Sequence, residues 1–174
     1  IEAADGSADG RLRVSITDPE GKHAETTGAD VVLLGVGRRP NTGGLDLERS
    51  GVESDSRGYI PVDDQLRTNV PHVYAIGDVT GKVLLAHVAS HQGLVAAAVI
   101  AGHEEQMRYN AVPAATFTHP EVASVGLTDK QARDVGHDVV VGCFPFAGLG
   151  RAQTYGSTEG MIKIVAEGQY GEVL

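Results

Sequence analysis

One cysteine, a shortage of positive charge and the lack of any long apolar run set the first limits on this chain. Cys143 is the single cysteine among 174 residues. An internal disulfide framework is therefore excluded, and the composition fits a reducing, cytoplasmic setting. Lys and Arg number 14 against 23 Asp and Glu, for a formal charge of -9. A nucleic-acid partner would need a basic footprint, which is missing here. An acidic surface of this size otherwise serves solubility. No apolar run reaches the length of a membrane span, so no membrane partner is expected. No secretory signal pattern is visible either. The sequence has no internal repeat and no low-complexity segment.

The elements that are present alternate between strand and helix patterns. Arg11–Thr17 alternates apolar and polar residues, the pattern of a half-exposed strand. Asp18-Pro-Glu-Gly21 reads as a turn, and 23–27 as the return strand. Asp30–Val36 is nearly all apolar and reads as a buried strand. Arg39-Pro40 must leave the helical region, because a residue before proline is pushed to extended backbone. A short apolar run, Val73 to Ile76, stops at Gly77-Asp78. A small-residue helix follows, from about Leu85 to Ala101. A strand that ends in a carboxylate and feeds a helix places an acceptor where doubly wound sheets bind ligands. An ionised Asp only accepts hydrogen bonds, which suits a sugar or ribitol hydroxyl; a plain capping Asp would look the same. After 112 the pattern changes. Two short strands flank Thr118-His-Pro-Glu121, Thr128-Asp-Lys-Gln131 has the form of a capping box, and Gly136 reads as the stop of the helix it opens. Asp138–Phe146 and Gly160–Glu167 read as antiparallel strands. The chain opens on Ile1 and ends on Glu172-Val-Leu174, inside what reads as a hairpin, so a piece of a longer protein is expected.

Several motifs occur together and in order. Thr68-Asn-Val-Pro-His-Val-Tyr-Ala-Ile-Gly-Asp78 resembles the second flavin-adenine-dinucleotide fingerprint of the pyridine nucleotide–disulfide oxidoreductases. Gly35-Val-Gly-Arg-Arg-Pro-Asn-Thr42 is similar to the G-x-P-N linker of that family. Leu85-Ala-His-Val-Ala-Ser-His-Gln-Gly93 resembles the flavin-facing helix of its dihydrolipoyl dehydrogenase branch. Phe117-Thr-His-Pro-Glu-Val-Ala-Ser-Val-Gly-Leu-Thr128 resembles the opening of the dimer-interface domain, and Phe144-Pro-Phe-Ala-Gly-Leu-Gly-Arg-Ala152 follows it in the family's order. The resemblance covers nearly the whole chain, from about Arg11 to Leu174.

This likeness implies an α/β fold in three parts. Residues 1–36 would be the tail of a nicotinamide-binding domain, 37–111 the second half of a doubly wound FAD-binding domain, and 112–174 an incomplete α+β dimer-interface domain. The cofactors implied are FAD and NAD. The cofactor-binding set carried over is Gly37, Arg38, Asp78, Leu85, Ala86 and His87. Asp78 would hold a ribitol hydroxyl, and backbone amides at Leu85, Ala86 and His87 would face the pyrimidine edge of the flavin. Unpaired amides and the helix dipole favour negative charge there. The implied activity is reoxidation of protein-bound dihydrolipoamide with NAD. The implied partners are a second copy of the chain and the lipoyl-bearing acyltransferase of a 2-oxo acid dehydrogenase complex.

Other residues invite a function that their surroundings oppose. His87 and His91 have i, i+4 spacing, but zinc needs three or four ligands and no third is evident. Ser90-His91-Gln92 stands where the family carries an acidic cluster. His119 shares a His-Pro pair with the family's C-terminal catalytic base, yet Ser124 occupies the place of the partner glutamate. A base needs such a partner, so His119 reads as a turn residue. Arg38, Arg39 and Arg151 suit anion contacts, or equally the locking of a junction. Cys143, after three valines, reads as a small buried hydrophobe.

The family's first glycine-rich phosphate loop, redox disulfide, second glycine loop and His–Glu base are all missing from these residues. No catalytic residue is therefore assigned, and the chain alone is expected to be inactive. A sister enzyme, mercuric or glutathione-reductase-like, is the nearest alternative. A stand-alone dimerisation or binding module is the alternative from another class.

Overall fold

The computed structural model describes residues 2–3, 11–22 and 24–174. The chain divides into two compact units, residues 1–38 and 39–174. His23, the expected start of the return strand, lies outside the described residues.

The first unit is an antiparallel sheet in the order β1 (Glu2–Ala3), β2 (Leu12–Thr17), β3 (Ala24–Ala29). The β2–β3 register runs from Leu12 opposite Ala29 to Thr17 opposite Ala24. The turn closes as its residue types dictate, with Gly21 N donating to Asp18 O at 3.0 Å. Arg11 and Asp30 pair across the open end at 3.2 Å. The apolar run after it departs from expectation. Asp30–Val36 forms no strand, and Val31 and Leu33 are 81% and 92% exposed. A buried strand of this kind needs neighbours on both edges and cover on both faces. Among the described residues no strand pairs with it.

The second unit holds α1 (Leu47–Ser50), a 3₁₀ turn at Gly77–Thr80, α2 (Ala86–Ile100), β4 (Ala114–Thr116), β5 (Val122–Ser124), α3 (Asp129–Asp134), β6 (Val139–Pro145), α4 (Gly150–Tyr155) and β7 (Met161–Glu167). α2 is the organising element. Its composition is alanine-rich with no proline, which favours helix. Val88, Gln92, Val95, Ala96 and Val99 are buried at i, i+4, i+7, i+8 and i+11, one continuous face. That face packs on Val52, Ile60, Val62, Leu66, Ala75 and Met107. Beyond Ala101, Gly102 N donates to Val99 O and His103 N to Ala98 O, which closes the helix end.

The Val73–Ile76 segment is not a regular strand. Its chain folds back instead: Thr68 N donates to Val73 O at 3.0 Å and Ala75 N to Leu66 O at 3.2 Å. Only Arg67 and Tyr74 form a bridge. The buried Thr68 hydroxyl donates to Val73 O at 2.9 Å and tightens this turn.

The remaining elements follow the sequence pattern closely. β4 and β5 form a hairpin with Ala115 opposite Ala123. Thr128 and Gln131 make a reciprocal capping box at the start of α3. β6 and β7 pair antiparallel from Val139 opposite Glu167 to Pro145 opposite Met161. Cys143 lies opposite Lys163 on this hairpin and is exposed, not buried, because residues on both faces of the strand are exposed from Val140 to Pro145. No helix among the described residues is long and apolar enough to cross a membrane.

Candidate functional site

The site is built on the turn that carries Asp78 and the helix behind it. Gly77 opens the 3₁₀ turn with φ 78° and is buried. A side chain there would meet Ala89 Cβ at 3.4 Å, so the turn lies close against α2. Asp78 itself is exposed. Its carbonyl accepts from Gly81 N at 3.1 Å, and the Thr80 hydroxyl donates to Gly77 O at 2.8 Å. Ile60 N donates to Val79 O at 2.9 Å, which ties the turn to the core.

Gly81 ends the turn with φ 66°. An added Cβ would lie 2.8 Å from Tyr59 Cγ, so the ring of Tyr59 seats directly under this residue. Asp55 holds Tyr59 in place by accepting from its amide at 2.9 Å and from Arg57 N at 2.8 Å. Burial raises the Asp55 pKa, but the Tyr59 and Arg57 amides and the Arg57 charge outweigh it and hold the carboxyl below its usual value.

Two further side chains complete the support, and neither stands out in the sequence as a site residue. Gln92 accepts from Gly77 N at 2.6 Å and donates to the Tyr109 hydroxyl at 3.0 Å. Lys82 Nζ lies 6.0 Å from the centre of the Tyr109 ring. Gln92 does leave one signal: it is a long polar residue at an apolar-periodic position of the helix, four after Val88.

The helix that packs on the Asp78 turn begins at Ala86. Leu85 is the N-cap, in extended conformation, and no side chain caps it. The first-turn amides are donors without an intrahelical acceptor, and the positive end of the helix dipole adds to them. Ala86 and His87 head this helix, whereas the Leu85 amide, expected to face the cofactor, donates to Val83 O at 3.0 Å. The His87 ring turns elsewhere, since its Nε2–H donates to Pro113 O at 2.9 Å and ties α2 to the segment leading into β4. Among the described residues no group of three His, Cys, Asp or Glu could hold a metal. Gly37 and Arg38 end the first unit. An exposed carboxylate on a turn packed against a helix with an uncapped N-terminus is a donor and acceptor set that fits a ligand with hydroxyls and an anionic edge.

The other candidates stand apart from this cluster. His119 is exposed in the bend between β4 and β5. Arg151 lies over the Tyr155 ring, 4.1 Å from its centre, and donates to its hydroxyl. Asp129 accepts from Lys163 and, at 2.9 Å, from Arg133. These bonds hold its carboxyl below the usual range.

Comparison with known proteins gives this geometry a family. Residues 1–93 match the model of the pyridine nucleotide-disulphide oxidoreductases, and 112–174 match their dimerisation domain. Dihydrolipoyl dehydrogenase of Chlamydia muridarum is 50% identical over 145 residues, 83% of this chain and 31% of that protein. The enzyme of Geobacillus stearothermophilus is 44% identical over 171 residues, 98% of this chain and 36% of that protein. Among solved structures, LpdA of Mycobacterium tuberculosis superposes with a TM-score of 0.81 at 32% identity, over 92% of this chain and 34% of that one. The HOCl-induced flavoprotein disulfide reductase RclA of Escherichia coli gives 0.80 at 28% identity, over 94% and 37%. The chain spans about a third of the length of the relatives it matches. With more than half of its length matched by the family model, the chain belongs to the pyridine nucleotide–disulphide oxidoreductases.

Proposed function

We propose that this chain is the flavin-contacting and dimer-forming part of a dihydrolipoyl dehydrogenase, which reoxidises protein-bound dihydrolipoamide with NAD. The observation that carries the reading is the Asp78 turn packed on α2, whose N-terminus has no side-chain cap. Bound FAD supplies the electron transfer between dithiol and NAD. Asp78 accepts a hydrogen bond from a ribitol hydroxyl. The amides at Ala86 and His87 stabilise negative charge at the flavin's pyrimidine edge, by ~0.3–1 kcal/mol when exposed and up to ~2 when partly buried; the Leu85 amide is engaged by Val83 O at 3.0 Å and contributes through the position of the helix start. Gly37 and Arg38 belong to the proposed cofactor-binding set on the likeness of their motif alone. We assign residues 1–36 to the nicotinamide-binding domain, 37–111 to the doubly wound FAD-binding domain and 112–174 to the interface domain. The partners are a second copy of the chain, through that interface domain, and the lipoyl-bearing acyltransferase of a 2-oxo acid dehydrogenase complex. The single cysteine supports a cytoplasmic location.

The chain alone holds one thiol, whereas the dithiol exchange needs a pair. The isolated polypeptide is therefore inactive in dihydrolipoamide-dependent NAD reduction. The test of the flavin assignment is Asp78→Ala in the complete protein, which should release FAD more readily than the unsubstituted protein. Equal FAD retention by the two would remove Asp78 from the site. The likeness to RclA favours one second reading, a sister disulfide reductase acting on a different substrate. Assay of the complete protein with dihydrolipoamide against other thiol substrates separates the two.

A further inference from the structure

We propose that Gln92 is a positioning residue that sets the peptide plane from which Asp78 leaves the turn, a role that rests on the flavin reading above. Gln92 is 0% exposed, the largest fully buried polar side chain among the described residues. Its orientation follows from chemistry. Gly77 N–H can only donate, so the oxygen at 2.6 Å must be the amide Oε1. That leaves Nε2 to donate to the Tyr109 hydroxyl at 3.0 Å. The Gly77 carbonyl is held from the other side by the Thr80 hydroxyl at 2.8 Å. The Gly77 amide, at the head of the 3₁₀ turn with φ 78°, thus depends on a side chain for its acceptor, and the Gly77 carbonyl within the turn gains the Thr80 hydroxyl as a further donor.

The consequence reaches the ligand edge. Gln92 rides on α2, the helix whose first turn, on the flavin reading, offers amides to the cofactor. A single rigid element therefore presents the donors and fixes the acceptor-bearing turn. Loss of the Gln92 acceptor strands a buried amide, and the turn must rotate to rehydrate it. Asp78 moves with that rotation, since its amide plane adjoins that of Gly77.

The test measures FAD dissociation from the complete protein. Gln92→Leu should loosen FAD about tenfold or more, the effect of one unsatisfied buried amide. Gln92→Glu should restore binding to within about threefold, because a carboxyl presents an acceptor to Gly77 in either protonation state. Gln92→Leu combined with Asp78→Ala should bind no more weakly than Asp78→Ala alone, as expected for groups acting as one unit. Should Gln92→Leu fail to fold, Tyr109→Phe removes one hydroxyl and should loosen FAD about threefold with the fold intact. Unchanged affinity in the Leu or Phe variant, a Glu variant as weak as Leu, or full additivity with Asp78→Ala would each overturn the role of Gln92. Failure of the flavin reading itself looks different: Asp78→Ala alone would leave FAD affinity unchanged.

Discussion

Substitution of Gly81 by alanine should be among the costliest single changes near the site, for two separable reasons. The residue adopts φ 66°, a left-handed conformation that costs an L-residue about 1–2 kcal/mol. The new methyl would also lie 2.8, 3.0 and 3.1 Å from Cγ, Cδ1 and Cδ2 of Tyr59. These atoms form the base of the ring, so rotation of the ring does not clear them. Tyr59 cannot retreat easily, because its amide donates to Asp55 Oδ1 at 2.9 Å and its carbonyl accepts from Asp55 N at 2.7 Å. Overpacking of this kind costs about 1–3 kcal/mol, for a total of about 2–5. With a urea slope of about 2 kcal/mol per molar, the unfolding midpoint should fall by about 1–2.5 M. The same change in a Tyr59→Ala background should cost only the conformational part, about 1–2 kcal/mol. The cycle therefore yields a coupling of about 1–3 kcal/mol between the two positions. A loss under about 1 kcal/mol, or an undiminished loss without the Tyr59 ring, would refute the reasoning.

Three other outcomes follow from the same structure. Thr128→Ala removes the acceptor of the α3 capping box and should cost about 1 kcal/mol, seen as a melting-temperature drop of about 2–4 °C; an unchanged melt would mean the box contributes nothing. Val95→Ala opens the core at a residue only 1% exposed and should cost about 2–3 kcal/mol, whereas Leu94→Ala, at 69% exposure, should stay within about 0.5; equal costs in urea unfolding would argue against the packing of α2. The bonds from Lys163 and Arg133 depress the Asp129 pKa below 3.8 in the folded state. That contribution is fully present above the unfolded value and is lost as pH falls through the folded one. Lys163→Met should therefore lower the melting temperature near neutral pH, and the difference from the unsubstituted protein should shrink as acid protonates Asp129 below its ordinary carboxylate range; a difference that persists in acid would assign the effect of Lys163 to packing.

Much of this architecture is legible without coordinates. The alternation of 11–17, the alanine-rich run of 86–100 and the Thr128–Gln131 box each specify a local geometry through side-chain period or capping, and each forms where expected. The turn at Asp78 and the helix start after Leu85 are legible because a carboxylate after an apolar run and a helix start after that are both local patterns. Three expectations fail for one shared reason. Asp30–Val36, Val73–Ile76 and Cys143 suggest burial or strand pairing by their own apolarity; the structure gives the first two no regular strand, and gives Cys143 its strand but no cover. Burial depends on what lies opposite, and apolarity states only a preference for cover. Among the described residues, 30–36 has no pairing strand, 73–75 folds back on 66–68, and Cys143 sits on a strand exposed on both faces.

What the sequence by itself determined, then, is local: which segments are helix, hairpin or turn, and which carboxylate sits on the turn before α2. Tertiary structure alone decided how that carboxylate is held. Gly77, Gln92 and Tyr109 are joined across separations of 15 and 17 residues. Tyr59 reaches Gly81 across another stretch of chain. A buried amide requires an acceptor wherever the fold can supply one, and no periodicity in the sequence records which distant side chain that will be.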